Sequence, residues 1–111
     1  MQPRLNAEFW VKAHIRRCYA EDVTAVVVRR GFEKAGTVLL KLNAFEGGCV
    51  VLTPTTDMNG GRVWLRGTGA DPVAEAEADA YIARQVDRDP DLWVLEIEDR
   101  QGRHFLDDPI E

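Results

Sequence analysis

Two glutamates near the C-terminus have a spacing that is compatible with acid–base chemistry. Glu96 and Glu98 are two residues apart in the alternating stretch 93–98, so they are predicted to project from one face of a strand, about 7 Å apart. Carboxylates at such a separation can act as a general acid and a general base. The same pattern is typical of a solvated sheet face or a protected edge, and no metal motif accompanies the pair. We therefore predict no catalytic residue, and a small hydrolase using these carboxylates ranks third among three possible functions.

A histidine and a cysteine on the first predicted helix could bind a metal ion. His14 and Cys18 are one helical turn apart, which is a spacing able to chelate a metal, and Cys49 and His104 could complete four ligands if the fold brought them together. However, His14 and Cys18 lie on the apolar stripe of the helix, where a small buried thiol and a hydrogen-bonded histidine are expected. No CxxC or HxxxH motif is present. We therefore predict no metal site and no cofactor.

The basic residues suggest a second function, the binding of an anion. Two arginine pairs, Arg16 with Arg17 and Arg29 with Arg30, could converge on a phosphate if the first helix lay beside the first strand. Adjacent residues of a strand point to opposite faces, so only one of Arg29 and Arg30 could contribute. The chain carries a net charge of −5, which disfavours nucleic acid as a partner. A phosphate- or nucleic-acid-binding module using this arginine cluster is therefore the second-ranked function.

The order of elements follows from periodicity and turn residues. Asn6 is a predicted N-cap. The spacing of the residues after it predicts a helix with one buried stripe, made of Val11, His14, Ile15 and Cys18. A second helix is predicted to start at Asp71-Pro72, where proline suits the first turn, and to end at Asp89-Pro90. Strands are predicted at 24–30, 37–43, 49–53, 62–67 and from 91 onwards, with a turn at 100–103 and a short return at 104–106. The first strand is predicted to be central, because its run of valines is apolar on both faces.

These elements predict a single α+β domain spanning residues 1–111, in the order α-β-β-β-β-α-β with a final short β or extended piece. Short glycine-containing turns join consecutive strands and favour a mainly antiparallel meander. The simplest assembly is a two-layer sandwich with both helices on one face of the sheet. Since no apolar run approaches the roughly 20 residues of a membrane span and no signal peptide is recognisable, we expect no membrane partner and a cytoplasmic location.

The preferred function follows from the sheet face that two helices on one side would leave bare. Trp64, Val94, Glu96 and Glu98 are predicted to lie on that face and form a half-apolar interface. This favours a non-enzymatic protein-interaction or adaptor module, whose partner is another protein or a second copy in a homodimer.

Three stretches also resemble a known family. They are WVKAHIRRC from Trp10, VVVRRGFEKAG from Val26 and LWVLEIEDRQGRHFL from Leu92, and the last is the most distinctive. Together they resemble an uncharacterised family of short bacterial proteins, domain of unknown function 1491. The resemblance runs over nearly the whole chain and implies a stand-alone, single-domain bacterial protein. It implies no activity, cofactor or catalytic residue.

Overall fold

The computed structural model describes residues 6–34 and 36–111. It contains two helices and five strands: α1 (Ala7–Ala20), β1 (Thr24–Arg29), β2 (Val38–Asn43), β3 (Cys49–Thr56), β4 (Arg62–Arg66), α2 (Glu75–Arg88) and β5 (Trp93–Glu98). A 3-10 turn, Phe45–Gly47, lies between β2 and β3. The α+β class and the order of the elements are therefore confirmed.

The ends of the helices are fixed by local hydrogen bonds. The side-chain oxygen of Asn6 accepts a hydrogen bond from the Phe9 amide at 2.7 Å, so the predicted N-cap of α1 is confirmed. The predicted start of α2 at Asp71-Pro72 is wrong by several residues. There the chain is still extended, because Val73 and Cys49 exchange backbone hydrogen bonds of 2.7 and 2.8 Å. α2 can begin only after that bridge, at Glu75.

The sheet is mixed, and the predicted simple meander is wrong at one position. The strand order is β1-β5-β2-β3-β4, so the last strand lies between the first two. β5 pairs antiparallel with β1 and parallel with β2, whereas β2, β3 and β4 form the expected antiparallel meander. α2 carries the chain back across the sheet from β4 to β5, which gives a long crossover between parallel strands. This insertion makes β1 an edge strand, so its predicted central position is also wrong.

The two helices lie on opposite faces of the sheet, which corrects the predicted two-layer sandwich. α1 packs Val11 and Cys18 into one core, together with Leu40 and Leu95. α2 packs Ala78 into a separate core that contains Leu39. Leu39 and Leu40 are neighbours on β2, so their side chains leave opposite faces of the pleat. Every residue of β2 is buried, and a strand buried on both faces requires a cover on both sides.

The chain after β5 forms the predicted turn but no return strand. Gly102 has a φ of 67°, and its amide donates to the carbonyl of Asp99. Residues 103–107 then run beside α1, where His14 Nε2 donates to the carbonyl of His104 at 2.8 Å. Further along, Ile110 forms an isolated parallel bridge with Trp64 of β4. The C-terminal segment is therefore an extended piece that covers the outer edge of β4.

Candidate functional site

A buried lysine forms the most extensive charged cluster of the molecule. Lys41 Nζ lies 2.8 Å from a carboxylate oxygen of Glu75, 2.8 Å from one of Asp79 and 3.5 Å from one of Glu96. Glu75 and Asp79 are four residues apart on α2, so both face the sheet from one side of the helix. Burial opposes the charge of Lys41, but the hydrogen bonds that its ammonium donates to Asp79 and Glu75 outweigh this effect and raise the pKa of the lysine above its ordinary value. An amine held in its protonated form by two carboxylates is a poor nucleophile and a poor general base.

One member of the predicted carboxylate pair, Glu96, belongs to the same cluster. Glu96 and Glu98 share one face of β5, as expected, since they pair in register with Lys41 and Asn43 of β2. Glu96 is 8% exposed, and it accepts a hydrogen bond of 3.0 Å from the side-chain amide of Asn43. Its carboxylate is therefore held by Lys41 and Asn43 within the fold. This arrangement fixes α2 to the sheet and leaves Glu96 with little surface for a substrate.

The two apolar residues predicted to form an interface are buried instead. Trp64 and Val94 are each 1% exposed. Trp64 lies beneath α1, with its ring centroid 5.9 Å from that of Trp10. Val94 lies on the other face of the sheet, in register with Leu39. The prediction of a bare, half-apolar sheet face is therefore wrong for these residues, because each face is covered by its own helix.

The four candidate arginines do not converge. Arg16 is exposed on α1, and Arg17 donates to both carboxylate oxygens of Asp107, at 2.7 and 3.1 Å. Arg29 donates to two backbone carbonyls of the segment before β5, and Arg30 forms an ion pair with Glu8 at 2.5 Å. Arg17 lies near the C-terminal end of α1, whereas Arg30 pairs with Glu8 near the N-terminal end, about 13 Å away along the helix axis. The structure therefore does not form the arginine cluster that an anion site would need.

Of the candidate metal ligands, Cys49 lies apart from the other three. Cys18 and Cys49 are free thiols that lie in the two different cores, and burial raises the pKa of both. His14 stacks on Trp10 with ring centroids 4.7 Å apart, and burial lowers its pKa. Over residues 6–34 and 36–111, no group of three or more His, Cys, Asp or Glu side chains is placed to hold a metal ion. Within the same ranges, no helix has both the length and the apolar character needed to span a membrane.

The two edges of the sheet differ, and the difference defines a surface that the sequence did not reveal. At the β4 edge, Trp64 exchanges backbone hydrogen bonds with the C-terminal segment: its amide donates to Pro109 at 2.9 Å and its carbonyl accepts from Glu111 at 2.8 Å. β1 pairs with β5 along one side, and within the described part of the chain its other side has no backbone partner. The β1 edge is therefore the open edge of the sheet.

Apolar side chains line this open edge. Val26, Val27 and Val28 are 41%, 41% and 55% exposed, although β-branched residues in a strand usually pack against neighbours. The register with β5 shifts between Val27 and Arg29, which leaves Val28 as the extra residue of a bulge. Three consecutive exposed valines on a strand with unpaired backbone groups are a template for strand addition.

One flank of α1 extends this surface. Ile15 and Tyr19 are four residues apart and lie on the side of α1 opposite to the side that carries Arg17 and the C-terminal segment. Glu8 shares their flank and pairs with Arg30, which directly follows β1, so this flank faces the β1 edge. Tyr19 is well exposed. We define the β1 edge surface as Ile15, Tyr19, Val26, Val27 and Val28.

The whole fold recurs in known proteins. The family model described as "Protein of unknown function (DUF1491)" matches residues 5–107. The crystal structure of a DUF1491 family protein from Caulobacter crescentus CB15 is 40% identical, with a TM-score of 0.87 over 97% of this chain and 100% of that chain. An NMR structure of a DUF1491 family protein from Caulobacter crescentus CB15 has a TM-score of 0.84 at 40% identity over 99% of each chain.

A more divergent structure has the same fold. The solution structure of protein Atu0922 from A. tumefaciens is 30% identical, with a TM-score of 0.72 over 86% of each chain. A comparison with curated proteins finds no match. The similarity thus covers fold and sequence together, and it extends over the elements that form both the lysine cluster and the β1 edge surface.

Proposed function

The chain belongs to the DUF1491 family, and from this premise we propose that it is a non-enzymatic protein-interaction module that binds an extended protein segment along the edge of β1. The observation that carries the proposal is the contrast between the two sheet edges: the β4 edge is covered by the C-terminal segment, whereas β1 presents exposed valines beside unpaired backbone. The cytosol is the proposed location, since buried free thiols at Cys18 and Cys49 fit a reducing compartment.

The chemistry of an edge strand explains how such binding would work. An added strand forms main-chain hydrogen bonds with the unpaired groups of β1, and these bonds supply affinity for any extended segment. Selectivity then comes from the side chains beside the ladder. Val26 and Val27 leave opposite faces of the strand, so a segment with apolar residues on both faces would be favoured.

The charged groups of the molecule support binding rather than catalysis. The ammonium of Lys41 already contacts three carboxylates, and Glu96 is held by Asn43. Of the four candidate arginines, Arg17, Arg29 and Arg30 are engaged with carbonyls and carboxylates at separate places. Charged side chains that are paired in this way stabilise the fold. An active site instead contains an acid or a base that is free to react and whose pKa is shifted.

Site-specific photo-crosslinking in cells tests this proposal. Val28 is replaced by p-benzoylphenylalanine, and Leu65, an exposed apolar residue of β4 beside the covered edge, receives the same replacement as the control. We expect adducts with a protein, or with a second copy of the chain, at position 28 and none at position 65. The purified adduct partner must then protect the β1 amides of the wild-type protein from hydrogen exchange.

Two results would overturn the proposal. Equal adduct yields at both positions would mean that the crosslinker reports exposure alone. Absence of any adduct at position 28, or a purified partner that leaves the β1 amides unprotected, would mean that the open edge is not a binding surface.

A further inference from the structure

We infer that a second copy of this chain occupies the β1 edge, with the two β1 strands antiparallel about a two-fold axis, so that two five-stranded sheets join into one continuous sheet. This inference rests on the proposed function, because it names the segment that the edge binds. The described part of the chain offers one open edge, since the C-terminal segment covers β4. An isologous contact through a single edge closes after two copies and cannot grow into a filament.

The charges at the two ends of β1 support a second copy in antiparallel orientation. Glu21 and Asp22 precede the strand, whereas Arg29 ends it and Arg30 follows. Antiparallel pairing places the acidic end of each copy opposite the basic end of the other. Because of the two-fold symmetry, this favourable arrangement occurs twice in the dimer. Parallel pairing would instead bring like charges together.

Both arginines can take part in that complementarity. Arg29 donates to the carbonyls of Pro90 and Leu92, and this binding does not neutralise its charge. The side chain of Arg30 is 59% exposed although it pairs with Glu8, so it can also face an acid on another chain. Neither guanidinium needs to leave its place in the fold.

Strand geometry and charge together select the register. A two-fold axis perpendicular to the sheet lies between the two β1 strands and pairs residues that leave the same face. It must therefore lie at the level of one residue, which then faces its own copy, rather than at a level between two residues. An axis at Val26 brings that residue against its own copy and Thr24 against the bulged Val28. The same register carries Asp22 to the level of Arg30 of the second copy. An axis at Val27 would place Thr24 there instead, so between these two registers the charges favour Val26.

The flank of α1 supplies the remaining contact area. Stable interfaces bury about 800 Å² on each partner, which exceeds what a six-residue edge of about 20 Å offers. Because the axis is perpendicular to the sheet, both α1 helices lie on the same face of the joined sheet. Ile15 and Tyr19 of each copy, which lie on the flank towards the β1 edge, would then meet across the axis.

Sedimentation equilibrium of the full chain from about 1 to several hundred micromolar tests the dimer, at low and high salt. We expect Val26→Lys to weaken dimerisation at least about tenfold, because two ammonium groups would face each other at the axis. Leu65→Lys adds the same charge at the covered edge and should leave the dimer unchanged. Asp22→Arg should weaken the dimer, and combining it with Arg30→Asp should restore it by exchanging the charges.

The outcomes separate this inference from the proposed function. A wild-type chain that stays monomeric throughout, but whose position 28 crosslinks to a different protein, overturns the dimer and leaves the interaction module standing. A monomer with no adduct at position 28 overturns both. A dimer that persists in Val26→Lys, or a charge exchange that fails to restore pairing, overturns the assignment of the interface to β1.

Discussion

Replacing Lys41 by methionine tests whether the buried cluster holds α2 to the sheet. Methionine keeps most of the apolar stem but removes the ammonium that contacts Glu75, Asp79 and Glu96. The side chains of Glu75 and Asp79 are 55% and 58% exposed, so water can replace the lost partner. Glu96 is 11% exposed at its side chain and would keep only Asn43 as a partner. The variant therefore leaves one uncompensated buried carboxylate.

The expected loss of stability follows from that single carboxylate. Removing one partner of a buried ion pair typically costs about 3–5 kcal/mol, and since two of the three acids become solvated we expect about 3 kcal/mol. With a urea m-value of about 1.5 kcal/mol per M for a chain of this size, the midpoint should fall by about 2 M. Tryptophan fluorescence reports the transition, because Trp64 and Trp93 are buried in the α1-side core.

Two further variants make this result interpretable. Glu8→Gln removes the partly buried partner of Arg30, whose own side chain is 59% exposed, and should cost less than about 1 kcal/mol. Lys41→Met combined with Glu96→Leu removes both buried charges and should recover most of the stability lost in the single variant. A single variant within 1 kcal/mol of the wild type, or a double variant as unstable as the single, would refute the role assigned to the cluster.

The pKa of Lys41 adds an independent measurement of the same interaction. Its pKa in the folded protein lies above the ordinary value of 10.5, so the ion pairs contribute their full stability below pH 10.5 and lose it as the pH rises further. The wild type should therefore lose stability more steeply than Lys41→Met between neutral pH and pH 11.5. Parallel pH profiles for the two proteins would contradict the assigned shift.

Two other sites give predictions of their own. Burial lowers the pKa of His14 below 6.5 in the folded protein, so the unfolded chain takes up the proton first and stability should fall as the pH drops below about 6.5. His14→Gln should reduce the dependence of the urea midpoint on pH between pH 7.5 and 5.5. An unchanged pH dependence of the midpoint would contradict this. A Cβ at Gly31 would meet the backbone of Asp91 and Leu92, so Gly31→Ala should cost about 1–3 kcal/mol, whereas Gly47→Ala has more room and should cost much less. Equal urea midpoints for the two alanine variants would show that the contact at Gly31 is relieved.

Local sequence signals predicted most of the elements because each depends on a few neighbouring residues. The cap at Asn6 and the alternation that defines β5 both appear in the structure where expected. β3 was predicted to stop at Pro54 but runs to Thr56. Pro54 lies beyond the last residue that β3 pairs with β2, so its missing amide does not interrupt that ladder.

The strand order could not be predicted in the same way. A period of two tells which residues share a face, but it does not tell which strands are neighbours. The valine run of β1 suited a central strand buried on both sides, yet β5 occupies the central position between β1 and β2. The displaced β1 keeps a central-strand composition at an edge, and Val26, Val27 and Val28 are exposed as a result.

The lysine cluster left a signal in the sequence that depends on the position of α2. With both helices predicted on one face of the sheet, Lys41 and the acids of the second helix were not expected to meet. With α2 on the face opposite to α1, the spacing of Glu75 and Asp79 instead matches a clamp on one ammonium. One lysine within the apolar run 38–42, together with two acids four residues apart on a helix, was the available evidence for that contact.

The two helices therefore attach to the sheet by different physical means, and this difference bears on the open edge. α1 buries an apolar stripe that includes Val11 and Cys18. α2 buries only Ala78 fully, packs the partly buried Tyr81, Ile82 and Val86 against the same core, and adds the Lys41 cluster. Because Lys41 contacts both Glu75 and Asp79, the cluster helps to fix where the helix lies over β2 and β3. That placement leaves β1 uncovered on the α2 side, so Val26 stays exposed and the edge remains accessible to another strand.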